Sequence, residues 1–73
     1  MVFLLAESAK VATYYIREVA HSNLKNYKIV QSFEDVAGLK LPKAIRYYGW
    51  YKIADINRIM NHLQSYGAEI IDV

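Results

Sequence analysis

Four residues spaced two apart, Arg46, Tyr48, Trp50 and Lys52, carry the densest chemistry in this sequence. A guanidinium, two aromatic faces and an ammonium in one line could stack on flat groups and neutralise an anionic chain running past them. A spacing of two is that of side chains on one face of a β-strand. Ile45, Tyr47, Gly49, Tyr51 and Ile53 would then fall on the opposite face, which lacks charge. Tyr47, Tyr48, Trp50 and Tyr51 include the only tryptophan of the chain.

The remaining polar residues point to capping and solvation rather than to catalysis. His21 and His62 stand near the ends of predicted helices, where an imidazole meets the negative end of the helix dipole. Glu7, Glu34 and Asp35 are loop carboxylates without a partner at the spacing an acid–base pair needs. The absence of cysteine excludes disulfides, thiolate metal sites and cysteine nucleophiles. No glycine-rich phosphate loop and no zinc or calcium ligand spacing is present. The expectation is a protein that is not an enzyme and uses no cofactor or metal.

Composition bounds the partners. Seventy-three residues make one domain, and 55% hydrophobic against 22% charged is rich for so small a monomer. Part of that apolar surface is therefore expected in an interface, either with a second copy or with a larger protein. A net charge of +2 permits a polyanion without demanding one. Val2 to Ala6 is too short for a signal peptide or a membrane span, so a soluble, cytoplasmic protein with no membrane partner is expected.

The elements that must position these residues follow from periodicity. Val2 to Ala6 reads as a strand, and Ser8 as the N-cap of a helix with Val11, Ala12, Tyr15, Ile16 and Val19 on one face. One long helix from Val2 to His21 is the alternative. Tyr27 to Phe33 has strand composition, and Glu34 to Lys43, with Gly38 and Pro42, reads as a hairpin connection. The Ala44–Ile53 stretch is the third strand. Asp55 caps a second helix with Ile56, Ile59, Met60, Leu63 and Tyr66 inward, Gly67 ends it, and Ala68 to Val73 is the last strand.

The order βαββαβ predicts an α+β, ferredoxin-like sandwich, a four-stranded antiparallel sheet with both helices on one face. The first and third strands would be central and the second and fourth outer. The other face would be open, presenting Arg46, Tyr48, Trp50 and Lys52 beside Lys28.

Arg46-Tyr47-Tyr48-Gly49-Trp50-Tyr51-Lys52-Ile53 resembles the third-strand signature of the RNA recognition motif. Arg46, Tyr48, Gly49 and Trp50 fit that pattern, whereas Tyr47, Tyr51 and Ile53 depart from it. Val2-Phe3-Leu4-Leu5 resembles the start of the first-strand signature. The resemblance covers two strands and implies that Phe3, Tyr48 and Trp50 stack on bases of single-stranded RNA or DNA, with Arg46 on the phosphates. The same surface equally suits a homodimer or a role as adaptor or inhibitor of a larger machine, because Tyr, Trp and Arg are favoured interface anchors.

Overall fold

Strand β1 (Val2–Leu5) has no polar face, and Phe3, Leu4 and Leu5 are all fully buried. A strand apolar on both faces belongs in the middle of a sheet covered on both sides. The computed structural model describes residues 1–73 and places β1 there. It pairs with β2 (Tyr27–Val30) on one side and β3 (Lys43–Arg46) on the other, and β4 (Glu69–Asp72) completes the order β2-β1-β3-β4.

Every pairing is parallel, with Leu4 opposite Ile29 and Ile45, and Ile45 opposite Ile71. The expected antiparallel, ferredoxin-like sheet is overturned. The first and third strands are central, as expected, but all four run in one direction. A parallel neighbour requires a crossover, so Glu34 to Lys43 is no hairpin loop and instead carries the chain back across β1.

The helices take opposite faces. Helix α1 (Ala9–Tyr14) continues as a π-turn over Tyr15–Val19, and packs Ala12, Tyr15 and Ile16 with Leu4 and Ala6. Helix α2 (Ile56–Ser65) packs Ile59 and Leu63 with Phe3, Leu5, Val30, Val36 and Ala44 on the other face. Strand order explains the division. The chain moves one way from β1 to β2 and the other way from β3 to β4, and crossovers of one hand must then lie on opposite faces. No open sheet face remains on the α2 side, and no helix is long and apolar enough to cross a membrane.

Local chemistry sets the element ends. Ser8 Oγ accepts from Val11 N–H at 3.2 Å, the cap expected from sequence. The π-turn, marked by Ala20 N–H donating to the Tyr15 carbonyl, turns each residue through a smaller angle than an α-helix does. Val19 thereby leaves the apolar stripe and is exposed. Strand β2 stops at Val30 because one Asp35 oxygen accepts from the Gln31 and Ser32 amides at 2.7 and 3.0 Å. Asp55 opens α2 in a left-handed conformation, and its side chain makes no cap hydrogen bond, contrary to expectation.

Three contacts fasten the crossover to α2 and β4. Tyr66 Oη donates to the Leu41 carbonyl at 2.7 Å, and Glu69 N–H donates to the Pro42 carbonyl at 2.8 Å. His62 Nε2 lies 3.1 Å from the Leu39 carbonyl, which as an acceptor requires the proton on Nε2. His62 is therefore a brace between helix and crossover.

Candidate functional site

The third strand ends at Arg46, and the alternation expected through Ile53 is replaced by a turn. Gly49 takes a left-handed φ of 72°, and Trp50–Lys52 forms one 3-10 turn. This bends the ring cluster over the carboxyl ends of β3 and β4, where Arg46, Tyr48, Trp50, Tyr51, Asp72 and Val73 line most of a shallow groove of about 410 Å³.

Arg46 and Asp72 stand opposite each other in the β3–β4 register. The guanidinium donates from Nε and Nη2 to the two Asp72 oxygens at 2.6 and 2.7 Å, a two-pronged pair. These hydrogen bonds hold the Asp72 carboxyl below the usual carboxylate range, and the charge of Arg46 adds to them. The same guanidinium lies 4.1 Å from the centre of the Trp50 ring, which meets Tyr51 edge to face at 6.1 Å. Arg46 is thus held between a carboxylate and a π-face, and it fixes the tryptophan. Tyr48 and Tyr51 remain 66% and 63% exposed.

In doubly wound sheets the usual ligand crevice opens where strand order reverses, here between the carboxyl ends of β1 and β3. In this chain that place is closed. Tyr47 N–H donates to the Leu5 carbonyl at 2.8 Å, and Glu7 N–H donates to the Tyr48 carbonyl at 2.9 Å. A Cβ on Gly49 would lie 2.4 Å from Glu7 Cβ, so only glycine admits the approach. Glu7 also meets Lys52 Nζ at 3.5 Å. A carboxylate at this position repels phosphate, the group such crevices commonly hold at the start of the following helix.

The six residues singled out from sequence separate. Arg46, Tyr48 and Trp50 come together in the groove, while Lys52 sits on the same turn but is directed to Glu7. Phe3 is wholly enclosed in the core under α2 and is corrected from a stacking surface to a packing residue. Lys28 belongs to β2, on the far side of β1, and lies 4.0 Å from Asp35. Sequence reasoning missed Asp72, Tyr51, Glu7 and the conformational role of Gly49. The unbroken apolar run of β1 was the available signal, since a strand buried on both faces leaves no open face beside it.

The fold and groove define a small doubly wound domain with a ring-lined corner. No protein-family model matches the chain, and neither the curated proteins nor the solved structures give a match.

Proposed function

We propose that the chain is a non-catalytic, protein-binding module that engages its partner through the corner groove, with Tyr48 and Tyr51 as contact rings and the Arg46–Trp50 stack as their rigid floor. One observation carries this choice over single-stranded nucleic acid. Each basic side chain singled out for phosphate contact already faces a carboxylate: Arg46 with Asp72, Lys52 with Glu7, and Lys28 with Asp35. The groove therefore offers rings with little free positive charge, which suits protein anchoring better than a phosphate chain.

Two measurements test it. Trp50 fluorescence is titrated with a mixed-sequence single-stranded oligonucleotide at low salt, and no saturable change is expected. Affinity capture compares the wild type with the Tyr48→Ala/Tyr51→Ala variant, which is expected to fold normally and lose the proteins that wild type retains. Quenching by the oligonucleotide that falls steeply with salt and vanishes in the Tyr48→Ala variant would replace this reading with nucleic-acid binding.

A further inference from the structure

Parallel sheets are stable when both faces are covered, and this one is only partly covered on the α1 side, where Ile45 and Ile71 are half-buried. On the α1 side, α1 lies over β1 and β2 and reaches β3 only at Ile45 and Tyr47. Ile71, next along on β4, belongs to neither core cluster, and Val73 is exposed. Ala44 and Ile70 pack on the α2 side, so alternation sends Lys43 and Ile45 of β3, and Glu69 and Ile71 of β4, to the partly covered side. Lys43 and Glu69 are exposed, and neither makes an ion pair within the chain. The outer edge of β4 has no strand beside it.

We propose that a second copy of this chain covers this half-face, related by a two-fold axis running parallel to the strands between β3 and β4. That axis sets β3 of one copy against β4 of the other without shifting height along the strands. Lys43, Ile45 and Ile71 then oppose residues that the β3–β4 register already fixes. Lys43 meets Glu69 of the second copy, and Ile45 meets Ile71. Opposite charge meets opposite charge and apolar meets apolar, and symmetry repeats each pair twice. The relief agrees with the chemistry. Helix α1 stands proud of the sheet beside the partly covered half-face, so two such steps interlock and bring α1 of each copy beside the other's unpaired β4 edge. The half-face is small, which places the dimer in the weak, concentration-dependent class. This inference goes beyond the groove and does not require Tyr48, Trp50 or Tyr51.

Sedimentation across a concentration series tests it, with circular dichroism as the check on folding. Wild type is expected to pass from monomer to dimer as concentration rises. Lys43→Glu and Glu69→Lys are each expected to weaken self-association by about tenfold or more, because each sets like charges opposite across the axis. An equimolar mixture of these two variants is expected to associate again, since each then supplies the charge the other lacks. That rescue leaves the contacts within each chain unchanged, so it separates the dimer contact from any effect on folding. A wild type monomeric throughout, single variants that dimerise like wild type, or a mixture that stays monomeric would each overturn the proposal. The Tyr48→Ala/Tyr51→Ala variant is expected to dimerise normally, so failure of the groove reading and failure of the dimer are read independently.

Discussion

Gly49 answers two demands at once, a left-handed turn and the nearness of Glu7. Gly38 and Gly67 share its positive φ, but a Cβ at either would meet nothing. Gly38→Ala and Gly67→Ala are therefore expected to lose about 1–2 kcal/mol, the cost of a left-handed backbone. Gly49→Ala is expected to lose clearly more in urea melts, because the Glu7 backbone must also move. The Arg46–Asp72 pair is legible through pH. The Asp72 carboxyl is held below its ordinary value by Arg46, so the folded state binds that proton less readily than the unfolded chain does. Its contribution is complete above the ordinary carboxylate range and fades as pH falls through the lowered value. Asp72→Asn is expected to flatten this acid limb of stability against pH. Tyr15 behaves in the opposite sense. Burial, with smaller contributions from Tyr27 and Tyr47, raises its hydroxyl pKa, so its contribution is intact below the ordinary tyrosine value of about 10 and is lost as pH rises through the raised one. Tyr15→Phe is expected to remove that alkaline loss.

The elements themselves were largely legible in the sequence, and their ends were not. Ser8 and Gly67 mark real helix limits, and the stripes of α1 and α2 meet the core as spaced except at Val19, which the π-turn leaves exposed. The third strand ended at Arg46, and the left-handed turn at Gly49 breaks an alternation that composition alone favours. The second strand stopped three residues early because Asp35 takes the amides that would have extended its ladder. This side-chain capture is local, a capping box spanning Ser32 to Asp35, and it leaves no trace in the hydrophobic period. Asp35→Ala is expected to cost about 1–2 kcal/mol, the usual size for a lost cap, and to loosen the crossover measurably by amide exchange of residues 31–36.

Strand direction is a property of the whole molecule, and it decided the fate of the candidate site. Alternation at Arg46, Tyr48, Trp50 and Lys52 suggested an open face, whereas the unbroken run Phe3-Leu4-Leu5 belonged to a sheet covered on both sides. The βαββαβ order is shared by the antiparallel and parallel arrangements, so the distinction rested on whether residues 34–43 turn back or cross over. Phe3→Ala separates the two at the bench. A packed Phe3 is expected to cost about 3–5 kcal/mol when truncated, a large share of the few kcal/mol that stabilise a chain of this length. A surface-stacking phenylalanine would leave the melting curve nearly unchanged. The order β2-β1-β3-β4 also has a consequence for synthesis. The ribosome delivers β1 first, and β2 can occupy one side of it early, but the other side waits for β3. Until residue 46 has left the exit tunnel, the most apolar strand of the protein is a bare edge, open to any other nascent chain. Translation speed through residues 31–46, and chaperone cover during that interval, should then govern the yield of soluble protein more than the stability of the finished fold.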